Sequence, residues 1–503
     1  MPMQKSKHVR IYTDLNEKNM VELNIGKHKD GSPANLLSTH ANRHGLIAGA
    51  TGTGKTVTLK RLAEQFSAAG VPVFLADVKG DITGIAEAGT PSDKLTEIIT
   101  ERGISEPDFQ GFPTIMWDLY GKKGHQLRTT VSEMGPLLLS RVLDLNETQE
   151  SVLTIVFKIA DDDGLLLHDL KDLRAMLAYV SEQVKELKKD YGSISTQTLA
   201  TIQRKIISLE EQDADEFFGL PALELPDLMR TNTDGKGYIN LLAADKLMQS
   251  PTLYSTFLLW LLSELFEELP EVGDPDVPKF IFFFDEAHLL FDGTPKHLQQ
   301  KIEQVVKLIR SKGVGVYFIT QNPVDIPDSV LGQLGNRVQH ALRAFTPKEQ
   351  KAIKQAAQTY RVNPDVDVAR AVQELEVGEA LISFLDEDGA PSVVDRYFVI
   401  PTQSKFGPAS ESVVQSVHSS SPVGAKYNAD RDDHSAHEEL AKRQKERIEN
   451  KPKEEKKEKK KSTTKKKSNR QGIGETLAKS AARSIGSSLG TAIKRGLLGA
   501  LKL

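Results

Sequence analysis

The sequence of 503 residues contains no cysteine and no long hydrophobic run. Without cysteine, the chain can form neither a disulfide nor a thiolate metal site, and it has no cysteine nucleophile. The first ten residues, MPMQKSKHVR, lack the apolar stretch of a secretory signal peptide. The most apolar stretch, residues 257–266, is far shorter than the roughly 20 residues that a membrane-spanning helix needs. These absences predict a cytoplasmic protein without a transmembrane segment.

Charge is distributed unevenly along the chain. The total is −4, but residues 441–503 contain 20 Lys and Arg against 6 Glu, so their net charge is +14 and residues 1–440 carry −18. This asymmetry predicts an acidic folded body and a basic tail. Residues 446–467 are a Lys- and Glu-rich low-complexity run, a composition that favours disorder.

A glycine-rich segment at residues 49–56, GATGTGKT, matches the phosphate-binding pattern G-x-x-x-x-G-K-[ST]. It follows an apolar, strand-like segment and precedes a helix that has apolar residues at helical spacing, namely Leu59, Leu62, Ala63 and Phe66. Glycines let main-chain N–H groups turn toward a phosphate. Lys55 can then reach the β- and γ-phosphates of ATP, and the Thr56 hydroxyl can bind Mg²⁺. All eight residues are predicted to bind ATP: Gly49, Ala50, Thr51, Gly52, Thr53, Gly54, Lys55 and Thr56.

Two carboxylates follow a run of five apolar residues, Phe280–Phe284, which reads as a strand buried on both faces. A carboxylate pair at the end of such a strand costs free energy unless a positive charge lies there. Asp285 is therefore predicted to hold Mg²⁺, and Glu286 to orient and deprotonate the attacking water. His288 completes the tetrapeptide DEAH and is interpreted as structural.

Other polar residues also follow predicted strands. Gln321 follows the strand predicted over residues 314–320, and its amide is expected to contact the γ-phosphate or the attacking water. Asp77, Lys79 and Asp81 end the strand after the glycine-rich loop. In a parallel sheet the carboxyl ends of the strands lie at one edge, where ligands bind. These residues are therefore expected to share one site.

The alternation of strand-like and helix-like segments predicts an α/β fold with a mostly parallel sheet. Helical periodicity dominates residues 121–235 instead, most clearly at 170–189. The expected organisation is a short amino-terminal segment (1–40), a first part of the core (41–120), a mainly helical insertion (121–235), a second part of the core (236–402), a disordered charged linker (403–470) and a basic amphipathic helix (471–503).

The sequence resembles the HerA/FtsK superfamily of ring-forming, DNA-pumping ATPases, and within it the bacterial HerA-like branch (YjgR-like) that shares the HerA helicase carboxyl-terminal domain. The resemblance spans about residues 40–400 and rests on GLIAGATGTGKT, FLADVKGD, FIFFFDEAHLL, KLIRSKGVGVYFITQNP and LGNRVQHALRAFTP. It implies a RecA-like core and a homo-oligomer, a hexamer with ATP between subunits. It also implies that an arginine of the neighbouring subunit completes the site. Arg310 is the first candidate, and Arg337 and Arg343 are the next.

Several functions are compatible with these residues. The resemblance implies an ATP hydrolase that translocates or processes DNA. An ATPase that remodels or moves protein, as in secretion or conjugation, stays open as the alternative. A small-molecule kinase is disfavoured because Glu286 and Gln321 suit the activation of water. The DEAH letters do not indicate a two-core helicase, since no second RecA-like core follows.

The end of the chain carries an apolar residue at every fourth position from Ile473 to Leu501. On a helix this row winds slowly around the surface, and Lys479 and Arg483 are among the cations beside it. Its glycines weaken helix formation by roughly 1 kcal/mol each. The segment is therefore expected to fold on contact with a protein partner; the alternatives are that it folds on an anionic membrane surface or has no ordered role.

Overall fold

The computed structural model describes residues 20–446, except 212, 293, 295, 345, 430 and 432. The described chain divides into two compact units. The first contains the described residues up to Leu127 together with Leu223–Ala429. The second contains Arg128–Ala222 and the described residues after Ala429, so most of it falls inside the range predicted for the helical insertion.

The first unit is built on one sheet of twelve strands. In chain order they are β1 (Glu22–Lys27), β2 (Pro33–Leu37), β3 (Gly45–Ala48), β4 (Val73–Asp77), β5 (Thr114–Asp118), β6 (His125–Gln126), β7 (Ile239–Ala243), β8 (Phe280–Phe284), β9 (Val314–Thr320), β10 (Asn336–Gln339), β11 (Glu379–Ser383) and β12 (Asp395–Val399). Their order across the sheet is β2-β1-β12-β11-β10-β3-β9-β8-β4-β7-β5-β6. Pairing is parallel from β10 to β6 and antiparallel from β2 to β10. The sheet is therefore mostly parallel, as predicted.

The helices of the first unit are α1 (Lys55–Ala68), α2 (Asp93–Glu101), α7 (Leu225–Leu228), α8 (Pro251–Glu268), α9 (Lys296–Ile309), α10 (Asp328–Leu331), α11 (Pro347–Ala357), α12 (Val368–Glu374), α13 (Glu411–Ser419) and α14 (Gly424–Tyr427). In α1, the four apolar residues singled out by their spacing are all buried in the main core. There the Phe66 ring meets the edge of the Tyr317 ring, with 5.8 Å between ring centroids. This packing fixes the helix that begins at Lys55 against β9, the strand that ends beside Gln321.

The second unit is helical, with α3 (Val131–Val142), α4 (Glu147–Asp162), α5 (Leu170–Tyr191), α6 (Thr196–Glu210) and a further helix over residues 436–446. Reciprocal side-chain caps begin three of these helices; in α5, Asp169 accepts from the Asp172 N–H and Asp172 accepts in return. Such caps satisfy N–H groups that have no partner inside the helix. Within the described residues, no helix is both long and apolar enough to cross a membrane.

The described part of the amino-terminal segment contains two strands that were not predicted. β1 and β2 form a hairpin whose turn coincides with the KDGSP segment, and Gly31 adopts the positive φ of 96° that this turn requires. Leu23 and Ile25 are buried, whereas the residues between and beside them are polar or small. With so few apolar residues, the two-residue alternation of the strand was too short to recognise in the sequence. The strand β5 was not predicted either, although all five of its residues are buried.

The prediction of a disordered linker over residues 403–470 is wrong for its first part, which contains α13, α14 and the helix at 436–446. Residues 402–410, here called the strap, lie against α1 and the chain after β4. The carboxylate of Glu64 in α1 accepts from the N–H groups of Gln403 and Ser404, both at 3.0 Å, and from the Ser404 hydroxyl at 2.6 Å. Glu87 likewise accepts from Lys405 Nζ at 3.1 Å. Serine content suggested disorder because composition does not show which hydroxyls have buried partners. Residues 447–470 and the predicted helix 471–503 lie outside the described residues.

Candidate functional site

Neighbouring parallel strands bring polar residues to one edge of the sheet. His340 follows β10, Gly49 follows β3, Gln321 follows β9, Asp285 follows β8, and Asp77 ends β4. Because all five strands run in the same direction, these residues lie along their common carboxyl edge. The edge agrees with the site expected from the sequence and adds His340 to it.

The glycine-rich loop connects β3 directly to α1. Gly52 and Gly54 have φ angles of 77° and 121°, which residues with a side chain rarely adopt. A Cβ atom on Gly49 would lie 2.6 Å from the Cβ of His340, so this position has no room for a side chain. The ammonium group of Lys55 lies inside the loop and donates to the carbonyls of Gly49 at 2.6 Å and Ala50 at 3.1 Å. The loop and the Lys55 side chain are therefore held together by hydrogen bonds.

The charges around Lys55 come from the two predicted carboxylates. Burial lowers the pKa of Lys55, while the charges of Glu286 and Asp285 oppose this shift and the charge of Lys79 adds to it. Thr56 is the second residue of α1 and is half-buried. The sequence had placed Lys55, Asp285 and Glu286 in one site, and the structure brings their charges within interaction range.

Asp285 is ionised less readily than an ordinary aspartate. Burial, and next the charge of Glu286, raise the pKa of Asp285 to about 6, against the opposing charges of Lys55 and Lys79. Its carboxylate accepts the N–H of Glu286 at 3.0 Å, and its main-chain carbonyl accepts the buried hydroxyl of Tyr254 at 2.9 Å. A carboxylate held in this way would be stabilised by any cation that binds beside it.

Glu286 has a left-handed backbone, with φ 51° and ψ 48°. For a residue with a side chain, this conformation costs on the order of 1 kcal/mol and is most often found where function requires it. Gln321 Nε2 donates to Glu286 Oε1 at 3.3 Å, so the two residues predicted to act on water are in contact. His288 Nδ1 lies 3.4 Å from Glu286 Oε2. The interpretation of His288 as structural overlooked this contact, which the DEAH spacing alone did not reveal.

Asp77 and Lys79 lie on the other side of Asp285. The Asp77 carboxylate accepts the N–H groups of Gly80 at 2.7 Å, Ile82 at 3.1 Å and Thr83 at 3.3 Å, which folds the chain into a tight turn. Burial raises the pKa of Asp77. Lys79 is exposed on this turn and acts on the charges of both Lys55 and Asp285. Asp77 thus shapes the turn, and Lys79 supplies a second cation to the site.

The arginines lie elsewhere. Arg310 is in the turn that precedes β9, so it lies at the amino edge of the sheet, about 23 Å of strand away from Gln321. Its guanidinium donates to both oxygens of Asp274, at distances of 2.7–3.1 Å. Arg337 donates to three main-chain carbonyls, those of Leu331, Leu334 and Thr359. Arg343 is exposed in the segment after β10.

The side chains at the carboxyl edge fit a nucleotide with Mg²⁺. N–H groups of a glycine-rich loop, a helix amino terminus and a lysine ammonium are the donors that phosphate oxygens require. Thr56 and Asp285 offer the oxygen ligands that Mg²⁺ prefers, and this ion usually keeps water and phosphate oxygens as well. The described residues contain no cluster of three or more His, Cys, Asp or Glu that could hold a metal ion by themselves. The site therefore suits a metal ion that arrives with a phosphate.

Residues 22–503 match the protein family described as "Helicase HerA-like C-terminal". Over 154 residues the chain is 27% identical to "Probable helicase MJECL08" of Methanocaldococcus jannaschii. This match covers 29% of the chain and 28% of that relative. The chain thus spans less than a third of the length of the curated relative.

The fold is similar to solved structures of the plasmid coupling protein TrwB. The TrwB complex with ADP and Mg²⁺ is 13% identical, has a TM-score of 0.51, and aligns over 76% of this chain and 90% of TrwB. A trigonal form with sulphate is 15% identical, with a TM-score of 0.50 and the same coverage. At such identities the likeness shows the fold alone. It confirms the predicted fold class, a RecA-like P-loop NTPase core with a mostly parallel sheet.

Proposed function

The chain belongs to the HerA-like helicase C-terminal family, and we propose that it is an ATP-driven motor that hydrolyses ATP with Mg²⁺, assembles into a ring of identical subunits and acts on DNA. One observation carries the hydrolytic part of this proposal. Lys55 in the phosphate-binding loop shares its surroundings with Asp285 and Glu286, and Gln321 donates a hydrogen bond to Glu286. A carboxylate positioned by an amide, beside a phosphate-binding lysine, suits the activation of water.

Each residue of the site receives one role. The loop N–H groups and Lys55 hold the phosphates, and Thr56 and Asp285 hold Mg²⁺. When bound, Mg²⁺ would supply positive charge that offsets the negative charge of the phosphate oxygens. Glu286 accepts the proton of the attacking water, and Gln321 keeps the Glu286 carboxylate pointed toward that water. This assignment also disfavours a kinase, which would have to exclude water from the same carboxylate.

The arginine that completes the site is assigned to a second copy of the chain. Arg310 lies at the opposite edge of the sheet from Lys55, so it cannot reach the phosphates of its own subunit. Its side chain is partly exposed, at 38%. In a ring, that edge can face the loop of the neighbour, and a cation there stabilises the charge that develops during phosphoryl transfer.

DNA is favoured as substrate by the helicase description shared by the family and by the relative from Methanocaldococcus jannaschii. The charge of −18 on residues 1–440 is the observation that favours the second candidate, an ATPase that moves or remodels protein. An acidic body gives little electrostatic attraction to the phosphate backbone of DNA. A DNA motor of this type would need its exposed cations concentrated along the path of the strand.

ATP hydrolysis with and without double-stranded DNA, at about 50 mM and 200 mM salt, tests both parts. We expect DNA to stimulate hydrolysis, and we expect less stimulation at the higher salt concentration because phosphate contacts release counterions. A rate of ATP hydrolysis that DNA does not change at either salt concentration would favour a protein substrate. The Glu286→Gln chain is the control. If it hydrolyses ATP as fast as the natural chain, the assigned site is not the source of the activity.

A further inference from the structure

His340 lies directly against the phosphate-binding loop, although the sequence indicated no role for it. It follows β10 and is fully buried. A Cβ atom on Gly49 would lie 2.6 Å from its Cβ, and one on Gly54 would lie 3.2 Å from its Cε1. Two of the three glycines of the loop therefore adjoin this one side chain. The next residue, Ala341, accepts the N–H of Ala50 at 2.8 Å and ties the same strand end to the loop.

The hydrogen bonds of His340 fix its protonation state. Nδ1 lies 3.0 Å from the Glu379 carbonyl, and Nε2 lies 2.8 Å from the Thr58 hydroxyl. A carbonyl oxygen can only accept, so the proton is on Nδ1. Burial, together with the charge of Lys55, lowers the pKa of His340 to about 4. The imidazole is therefore neutral near pH 7, and Nε2 accepts the hydrogen of the Thr58 hydroxyl.

These bonds connect three parts of the site. Thr58 is buried in the first turn of α1, the same turn that contains Lys55 and Thr56. Glu379 begins β11, and the preceding residue, Gly378, donates its N–H to the carbonyl of Thr53 at 3.2 Å. Hydrogen bonds of His340 thus join the first turn of α1 to the start of β11, and those of its neighbour Ala341 and of Gly378 join the end of β10 and the start of β11 to the loop. A buried histidine that merely stabilised the core would not need to contact loop glycines.

We propose that His340 is a positioning residue that holds the loop and the first turn of α1 in the conformation that binds the phosphates of the nucleotide. This inference rests on the proposed ATPase function. Without the imidazole, the buried hydroxyl of Thr58 and the carbonyl of Glu379 lose their hydrogen-bond partner. The loop is then less ordered before the nucleotide binds, and ordering it on binding reduces the net binding free energy. The consequence is a weaker affinity for nucleotide, with little change in the chemical step.

The test compares four variants in the full-length chain: His340→Asn, Thr58→Val, Thr58→Ser and the double variant His340→Asn/Thr58→Val. The Kd for ADP with Mg²⁺ is measured by calorimetry, and KM and kcat for ATP are measured by hydrolysis. His340→Asn and Thr58→Val should each raise Kd and KM about tenfold, equivalent to ~1.4 kcal/mol. We expect kcat to change by less than about threefold. Thr58→Ser keeps the hydroxyl and should restore the affinity. The double variant should be no worse than either single variant, because both remove one shared contact.

His44 provides a matched control. It is also buried, its Nε2 lies 2.7 Å from the Val306 carbonyl, and its Nδ1 accepts the N–H of Val316 at 3.0 Å. It precedes β3, so it lies at the edge of the sheet away from the loop. His44→Asn should lower the melting temperature but leave Kd and KM unchanged. Equal changes in Kd for the His44 and His340 variants would show a merely structural role and overturn the proposal, as would additive effects in the double variant.

The same measurements give a different result if the proposed ATPase function itself is wrong. A natural chain that binds no ADP would refute the proposed ATPase together with this role. A natural chain that binds ADP, with variants that bind equally well, would overturn the positioning role alone. If His340→Asn does not fold, Thr58→Val and Thr58→Ser still decide the question.

Discussion

The two edges of the central sheet hold their charged side chains in opposite ways. At the amino edge, Arg310 is neutralised by Asp274 through three hydrogen bonds. At the carboxyl edge, Lys55 donates to main-chain carbonyls, and burial raises the pKa of Asp285 to about 6. The amino edge therefore satisfies its charges within the subunit. The carboxyl edge keeps charged groups that would be better satisfied by a phosphate and a metal ion.

This difference shows which edge of the sheet carries side chains that lower the free energy of unfolding. Paired surface ions such as Arg310 and Asp274 contribute a little to stability. Buried carboxylates that lack a matching cation reduce it. Residues that reduce stability and lie together at one strand edge are candidates for function, because proteins retain such features mainly at active sites. The amino edge can act only if its ion pair opens toward another subunit.

The largest expected effects are at the carboxyl edge. Lys55→Ala should abolish hydrolysis and weaken nucleotide binding, because it removes a phosphate contact. Glu286→Gln should reduce hydrolysis by at least about 100-fold but preserve binding, because it removes the base and no phosphate contact. Hydrolysis rates and the Kd for an ATP analogue measure the two effects. If both variants lose binding equally, the two residues do not have separate roles.

At the amino edge, Arg310→Ala should also lose hydrolysis, but for a reason that mixing reveals. Each Arg310→Ala subunit retains Glu286, and each Glu286→Gln subunit can supply its arginine to a neighbour. In an equal mixture, random assembly should restore at most about one quarter of the natural activity, because a productive interface needs one subunit of each kind on the correct side. Full activity in a stable monomer would contradict the ring.

Replacing one carboxylate at each edge should change the free energy of unfolding with opposite signs, and this effect is smaller than those on hydrolysis. An unfolded aspartate has a pKa of ~3.9, whereas the pKa of Asp285 in the folded chain is raised to about 6. The folded state therefore binds this proton more tightly. Its contribution to stability is fully present below about pH 4 and is lost as the pH rises to about 6. Asp285→Asn should raise the free energy of unfolding at pH 7 by on the order of 1–3 kcal/mol, flatten its pH dependence between about 4 and 6, and eliminate hydrolysis.

The matched change at the amino edge is Asp274→Asn. It breaks a partly exposed pair and should lower stability by at most ~1 kcal/mol. Denaturant unfolding at pH 7 measures both variants. Two changes of the same sign would show that the edges do not differ in this way.

The smallest effect is expected far from both edges. Deletion of residues 447–503 removes no residue of either edge and should leave the basal hydrolysis rate within about twofold of the natural rate. We expect the deletion to alter assembly or partner binding instead, which the mass of the oligomer in solution reports. A truncated chain that folds but does not hydrolyse ATP would place the tail in the motor.

The central strands and the residues at their ends were predictable because they follow strong local patterns. β8 and β9 were both predicted over the residues that they occupy. Apolar runs followed by polar residues specify such strands without help from distant contacts. The contact between Gln321 and Glu286 then followed from the parallel arrangement. That the arginine acts between subunits stays a prediction.

The features that sequence reasoning missed depend on contacts between distant parts of the chain. His340 is an ordinary residue at a strand end until Thr58, 282 residues earlier, is placed beside it. The strap looked disordered because its serines and lysine find their partners in α1 and after β4. Composition and periodicity report local preferences, and neither contains these pairings.

The strap also determines how late in synthesis one part of the core can finish folding. Glu64 is completely buried in α1, and two of its partners, Gln403 and Ser404, lie about 340 residues later in the chain. While the ribosome is still making the second half of the core, this carboxylate has the Arg61 guanidinium 3.9 Å away but lacks those hydrogen bonds, and a buried charge whose hydrogen-bonding groups are unsatisfied is costly. The helix that carries Lys55 can therefore reach its final packing only after the strap has emerged. A nascent chain that ends before residue 402 should be retained by chaperones or degraded, so that incomplete copies do not accumulate.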